Sequence, residues 1–138
     1  MRHSILVDTG PLYALADRSD NYHKQAKTEF STLEKEQYRI TLVYPTMMEA
    51  YTLIMRYLGV KYAHRWLDSF IHGSALLNPT PTDYQYATEQ VLKYFDQEIT
   101  LFDAVLATIS NRLQVPVWTY DSDFDVMGIR VWRIGQSR

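Results

Sequence analysis

The sequence has no cysteine, little net charge and no long hydrophobic run, and each deficit excludes a class of protein. Without cysteine the chain cannot form disulfides or zinc–thiolate sites, which fits the reducing cytosol. A protein that coats nucleic acid generally has a basic surface, and a formal net charge of −2 argues against one here. Any contact with nucleic acid must therefore be local. No apolar stretch approaches the ~18 residues of a membrane span, and residues 1–20 lack the pattern of a signal peptide. We therefore expect a cytoplasmic protein with no membrane partner.

The remaining pattern predicts one α/β domain. A chain of 138 residues can bury a core without disulfides, and we assign residues 1–138 to a single domain. Short apolar runs alternate with segments at helical spacing, which predicts a parallel sheet with helices on both faces. The predicted strands are 4–7, 39–43, 75–77, 115–119 and 129–134, the last at an edge. The predicted helices are 12–16, 22–37, 45–58, 60–71, 83–95 (capped by Thr82 or Asp83) and 101–113.

Three acidic residues follow predicted strands. Asp8 comes directly after the first strand, Glu49 lies one helical turn after the second, and Asp121 follows the fourth. Ligands of open parallel sheets bind beyond the carboxyl ends of the strands, so this topology gathers the three acids at one edge. Asp103 lies in the first turn of a helix, and spacing alone does not bring it to the same edge.

Each acid also has an ordinary structural explanation, and the residues alone leave both open. The explanations are capping boxes at Thr46–Glu49 and Thr100–Asp103, an N-cap at Asp121 for a one-turn helix from Ser122, and an Asx-turn from Asp8 to the amides near Gly10. These structural explanations do not account for acids at the corresponding ends of three strands, each beside apolar residues. An unpaired carboxylate directly after an apolar strand is costly, and a bound cation would remove the cost.

A hard divalent cation would suit such a cluster. Converging carboxylates repel one another and repel a phosphate, and Mg²⁺ or Mn²⁺ relieves both effects. These ions prefer oxygen ligands, bind phosphates and make a coordinated water a better nucleophile. The histidines are scattered without metal-ligand spacing at His3, His23, His64 and His72. No Gly-rich phosphate loop is present, which argues against P-loop or Rossmann nucleotide binding.

Three segments, taken in order, resemble one family. They are ILVDTGPLYAL, YPTMMEAYTLI and TLFDAVLATISNRLQVPVWTYDSDF, which look like the three motif blocks of PIN-domain ribonucleases and most closely those of VapC-like toxins. The resemblance implies a three-layer α/β/α domain with a five-stranded parallel sheet. It also implies Mg²⁺-dependent hydrolysis of RNA phosphodiester bonds, with Mn²⁺ as a substitute, usually in single-stranded or looped RNA.

The resemblance assigns roles residue by residue. The residues implied to be catalytic and to bind Mg²⁺ are Asp8, Glu49, Asp103 and Asp121, so the resemblance places Asp103 in the cluster where spacing did not. The residues implied to support them are Thr9 and Thr119, whose hydroxyls orient the acids or a water, and Asp123.

The resemblance also implies protein partners, namely a homodimer formed through the helical middle region and an antitoxin that enters the groove leading to the acids. The side chains expected to form the apolar dimer patch are Met55, Tyr62, Trp66 and Phe70. Arg56, Lys61 and Arg65 are candidate RNA contacts, and a solvated helix surface is the alternative explanation of them.

Other functions are weighed against the ribonuclease. A non-catalytic PIN-fold module that binds RNA or protein fits the acidic pI of about 6.0 and the eleven tyrosines. A phosphatase of the haloacid-dehalogenase type needs a second aspartate two residues after the first, where this chain has Gly10. A receiver domain needs an acid pair near the first strand, and Asp8 has no acidic neighbour there.

Overall fold

A computed structural model describes residues 3–135, which form alternating strands and helices. The strands are β1 (Ser4–Val7), β2 (Arg39–Val43), β3 (Ala75–Leu77) and β4 (Val117–Trp118). The helices are α1 (Thr9–Ala16), α2 (His23–Lys35), α3 (Tyr44–Leu58), α4 (Val60–Gly73), α5 (Pro81–Lys93), α6 (Leu101–Leu113) and α7 (Asp123–Val126). The described helices include none with the length and apolar character that crossing a bilayer requires.

The sheet is parallel throughout, with strand order β3-β2-β1-β4. The chain winds outward from β1 to β2 and β3 and then crosses to the other side of β1 to form β4. The winding direction therefore reverses between β1 and β4, and ligand crevices of open α/β sheets lie at such a position.

The α/β fold with a parallel sheet between helices is confirmed, and the strand count is corrected. The sheet has four strands and not five, because the predicted strand 129–134 is reduced to a single parallel bridge between Val131 and Val117. Two hydrogen bonds hold it, from Val117 N to Arg130 O and from Trp132 N to Val117 O. Since β4 is only two residues long, it offers few backbone groups for a neighbouring strand.

Both faces of the sheet are buried, because alternate strand residues enter different apolar clusters. One cluster lies under α1 and α2 and includes Ile5, Val7, Leu12, Leu33, Leu42 and Trp118. The other lies under α6 and α7 and includes Leu6, Val43, Leu106, Ile109, Val117 and Phe124. Helix α5 packs behind α6, so the domain has helix, sheet and helix layers.

The predicted starts of α1, α3 and α5 are wrong, and α1 begins at Thr9 and not at residue 12. Thr80 caps α5 in a complete capping box with Asp83, whereas Thr82 and Asp83 were the predicted caps. Helix α3 begins at Tyr44 with Val43 at its N-cap, so Thr46 lies inside the first turn. A capping box between Thr46 and Glu49 is therefore excluded, and the Glu49 carboxylate is available for other contacts.

Candidate active site

The carboxyl ends of β1, β2 and β4 open into one cleft of about 500 Å³. The residues that line it are Asp8, Thr9, Gly10, Glu49, Thr100, Asp103, Tyr120, Asp121 and Ser122. The structure thus brings together all four acids that were predicted as ligands. Asp103 is among them, because α6 begins at this edge of the sheet.

The tightest grouping of acids is on one side of the cleft. One carboxylate oxygen from each of Asp103, Asp121 and Asp123 lies within 4.8 Å of the others. Asp123 was predicted only as a supporting residue, and it stands in this grouping because α7 begins with it. The Asp121 carboxylate accepts the Asp123 backbone N–H at 2.9 Å, which fixes the turn between β4 and α7. The alternative that made Asp121 the N-cap is wrong, because α7 starts at Asp123 and its N-cap is Ser122. The Asp121 carboxylate bonds the first helical N–H from one position further out.

Threonine hydroxyls orient the acids on the other side. Thr119 Oγ1 donates to Asp8 Oδ2 at 2.7 Å and accepts the Asp121 N–H at 2.9 Å, so one hydroxyl joins β1 to the turn after β4. Thr9 Oγ1 donates to Glu49 Oε1, which ties the start of α1 to α3. Both threonines were predicted to support the acids, and the structure places both at bonding distance to them.

Asp103 has a capping partner that leaves its carboxylate available. Its backbone N–H donates to Thr100 Oγ1 at 3.1 Å, so Thr100 is the N-cap of α6 as expected. This bond uses the Asp103 backbone and the threonine side chain. The Asp103 carboxylate is directed into the cleft, where its oxygen is grouped with those of Asp121 and Asp123.

Asp8 and Asp103 in the cleft, and Asp123 beside it, hold protons more tightly than exposed carboxyls do. Burial raises the pKa of Asp8 from 3.8 to about 6 against the opposing hydrogen bond from Thr119, and Glu49 and Asp121 raise it further. Burial, with the nearby charges of Asp8 and Asp121, raises the pKa of Asp103 to about 7. The pKa of Asp123 is also raised, first by desolvation and then by Asp121. Burial is the largest cause of each shift, and the neighbouring carboxylates add to it.

The donor set fits a hard divalent cation. Every side-chain donor in the lining is an oxygen, from carboxylates, hydroxyls or a phenol, and such sites suit Mg²⁺ and Mn²⁺ better than Zn²⁺ or copper. A cation would offset both the burial and the neighbouring negative charge that raise the pKa values of Asp8 and Asp103. The residues present therefore match the group that the sequence predicts.

Two contributors were missed by the sequence analysis. Tyr120 lines the cleft, and its hydroxyl donates to the buried carboxylate of Glu29 on α2. Glu29 Oε1 also accepts the Trp118 indole N–H at 3.0 Å. A signal was available, since Glu29 lies three residues after Ala26 and four before Leu33 on the buried stripe of α2.

The predicted basic residues do not reach the acids. Arg56, Lys61 and Arg65 are exposed on α3 and α4. Among the described residues, the cleft lining does not include them. The Arg65 guanidinium lies 6.0 Å from the ring of Tyr62. RNA contact by these side chains stays a prediction.

The predicted dimer patch is only partly available. Trp66 and Phe70 pack against each other with ring centroids 4.5 Å apart and against the main apolar cluster. Met55 packs beside the smaller cluster of Ile54 and Ala63. The patch therefore presents less free apolar surface than the sequence suggests, and dimer formation stays a prediction.

Comparison with known proteins shows likeness in structure only. No family model matches the chain, and no curated protein matches its sequence. The structure resembles the toxin VapC20 of Mycobacterium tuberculosis, which cleaves the sarcin–ricin loop, with TM-score 0.84, 21% identity and coverage of 94% of this chain and 98% of the other. It also resembles VapBC2 of Rickettsia felis bound to a promoter DNA fragment, with TM-score 0.72, 14% identity and coverage of 94% and 97%. A toxin–antitoxin complex from Klebsiella pneumoniae matches with TM-score 0.60, 20% identity and coverage of 87% and 89%.

These matches span nearly the whole length of both chains, and they bear out the fold that the motif blocks imply. The sequence identities are too low to transfer a substrate or a partner. The chain therefore has the PIN-domain fold of the VapC toxins.

Proposed function

We propose that the protein is a Mg²⁺-dependent endoribonuclease that hydrolyses RNA phosphodiester bonds and acts as a VapC-like toxin. The observation that carries the proposal is the convergence of acids from separate chain segments into one cleft at the reversal point of the sheet. A non-catalytic binding surface gains nothing from carboxylates whose pKa values are raised by burial and by neighbouring acids. Clustered perturbed acids in a cleft are typical of catalytic sites.

In this proposal Asp8, Glu49, Asp103 and Asp121 are the catalytic acids and hold the cation, with Mn²⁺ as an alternative ion. When bound, the cation supplies charge neutralisation for the phosphate and lowers the pKa of a water. Asp123 adds negative charge beside Asp103 and Asp121, which favours a divalent ion at that side of the cleft.

The remaining groups set the geometry of the acids. Thr119 holds Asp8 and the backbone of Asp121 in fixed relation, and Thr9 holds Glu49. Hydrogen bonds of this kind fix the direction of a ligand's lone pairs, so their removal typically weakens metal binding about 10–100-fold.

The toxin proposal includes partners. We propose a cognate antitoxin, because a similar structure is a toxin–antitoxin complex, and a homodimer, because the sequence predicts one. We place the activity in the cytoplasm, where RNA substrates are present. A hairpin that carries the sarcin–ricin loop is the first substrate to test, since the similar toxin VapC20 cleaves that loop.

The test is cleavage of this hairpin and of unstructured RNA by the purified chain. Cleavage should require Mg²⁺, stop with EDTA and be lost in Asp8→Asn. Asp68→Asn is the matched control, because Asp68 is an exposed acid on α4 outside the cleft. Cleavage that survives both EDTA and Asp8→Asn refutes the proposal. RNA binding without cleavage, indifferent to Asp103→Asn, favours the non-catalytic module.

A further inference from the structure

The side chains of the acidic cleft, without a cation, offer an RNA chain no attraction through charge. Its lining contains carboxylates, hydroxyls, one glycine and one aromatic side chain, Tyr120, with no lysine or arginine from residues 3–135. The acids repel RNA phosphates except where a cation intervenes. Part of the affinity near the acids must therefore come from contacts that do not depend on phosphate charge.

Tyr120 is held rigidly at the edge of this cleft. Its hydroxyl donates to Glu29 Oε1, and the same oxygen accepts the Trp118 N–H at 3.0 Å. The Glu29 side chain is buried under the sheet, so the phenol is anchored inward. On the cleft side the ring lies beside Gly10, where an added Cβ would stand 3.6 Å from Tyr120 Cδ2. The bond to Glu29 therefore fixes the hydroxyl end of the ring.

A second tyrosine extends the aromatic surface away from the acids. The Tyr22 ring stacks on Tyr120 with centroids 4.8 Å apart and an interplanar angle of 19°. Tyr22 is 48% exposed although it is engaged in this stack. Its backbone is held by the Asp20 carboxylate, which accepts the Tyr22 N–H at 2.9 Å. An exposed, ordered ring therefore continues the line from the acids through Tyr120 to solvent.

We propose that Tyr22 and Tyr120 form a stacking platform for an unpaired nucleobase of the RNA. The platform deepens the proposed ribonuclease function, on which it rests, by naming what holds single-stranded RNA beside the acids. Stacking is insensitive to the repulsion between acids and phosphates, and every base has a face that can stack. A base inside a duplex is already stacked, so the platform selects looped or single-stranded RNA.

The experiment measures RNA binding in a background that does not cleave. The full chain with Asp103→Asn is titrated, in Mg²⁺, with a short single-stranded RNA that carries the fluorescent base 2-aminopurine. Adding Tyr22→Ala should weaken binding about 5- to 150-fold, which is the range for loss of one stacked base. The dependence of affinity on salt should not change, because no phosphate contact is removed.

Two controls separate stacking from a structural effect. Tyr22→Phe keeps the ring and should keep the affinity. Tyr84→Ala removes an exposed tyrosine at the start of α5. The ion pair between Asp83 and Arg112 places this end of α5 beside the end of α6, far from the cleft. This variant should also keep the affinity. An RNA that lacks one base at the stacking position should bind weakly to the parent and lose nothing further with Tyr22→Ala.

The outcomes distinguish this inference from the proposed function. If wild-type protein cleaves RNA and Tyr22→Ala binds as the parent does, the platform is refuted and the ribonuclease stands. If Tyr22→Ala weakens binding but wild-type protein cleaves nothing, the platform stands and the ribonuclease fails. If Tyr22→Phe is as weak as Tyr22→Ala, or if the chain binds no RNA, stacking is refuted, and the exposed ring is better explained by a protein contact.

Discussion

Replacing Asp103 by asparagine should stabilise the metal-free protein at pH 8. Burial and the charges of Asp8 and Asp121 raise the pKa of Asp103 from 3.8 to about 7. A tenfold change in a dissociation constant corresponds to about 1.4 kcal/mol, so the charged carboxylate costs the fold at most about 4 kcal/mol. Asp8 and Asp121 share part of this repulsion, and we therefore expect a gain of about 1 to 3 kcal/mol.

The gain should depend on pH with a definite sign. Below pH 3.8 the Asp103 carboxyl is protonated in both the folded and the unfolded chain. As the pH rises from 3.8 to about 7, the unfolded chain releases this proton while the folded protein retains it, so the free energy of unfolding falls. Above that range the deficit is constant. The advantage of Asp103→Asn should therefore be full at pH 8 and nearly absent at pH 4.

The assay is urea unfolding in EDTA at both pH values, repeated at pH 8 with Mg²⁺. The Thr100–Asp103 cap uses the Asp103 backbone, so the substitution preserves it. Mg²⁺ should stabilise wild type more than the variant, because a ligand stabilises the state that binds it. Asp68→Asn, an exposed acid, should change stability by less than about 0.5 kcal/mol. If the variant is less stable than wild type at pH 8 in EDTA, the prediction is wrong and the Asp103 carboxylate has a structural role.

Three further substitutions test other contacts by urea unfolding. Thr119→Val removes the bond to Asp8 and should cost about 1–3 kcal/mol; wild-type stability would show that the hydroxyl is dispensable. Asp83→Asn breaks the paired bonds from Arg112 and should cost about 1.5–3 kcal/mol at pH 7. Because Arg112 lowers the pKa of Asp83, the difference should shrink as the pH falls below 3.8, and a constant difference would contradict the pairing. Phe124→Ala empties a fully buried position and should cost about 3–5 kcal/mol, so a cost below about 1 kcal/mol would contradict its place in the core.

The strands were predictable where residues that interrupt regular secondary structure flank a short apolar run. The ranges 4–7, 39–43 and 75–77 coincide with β1, β2 and β3. The final strand was not predictable in extent, because its length depends on how much backbone β4 offers as a partner. That is a property of the neighbouring strand and is not encoded in residues 129–134 themselves.

The predicted helix starts are wrong where several neighbouring residues could serve as the N-cap. Thr80, Thr82 and Asp83 all lie near Pro81, and the sequence does not rank them. The structure selects Thr80 because Pro81 suits the first helical turn and Asp83 can then bond back to the cap. Similarly, Thr46 looks like a cap, but α3 starts two residues earlier, at Tyr44.

The acids divide into those that topology places and those that it does not. Asp8, Glu49 and Asp121 follow strands of one parallel sheet, so their meeting at one edge was predictable from order alone. The position of Asp103 depends on how α6 crosses the sheet, a long-range feature that only the resemblance supplied. Glu29 was invisible as a partner of Tyr120 because ninety-one positions separate them in the chain.

Calorimetric titration with Mn²⁺ or Mg²⁺, on wild type and Asp103→Asn side by side, tests most directly whether these acids form one metal site. We predict clear binding to wild type and a large loss in Asp103→Asn, with Asp68→Asn binding as wild type does. Equal binding to wild type and Asp103→Asn, or no binding to either, would contradict a common site and leave the cleft without the cation that the proposed hydrolysis requires.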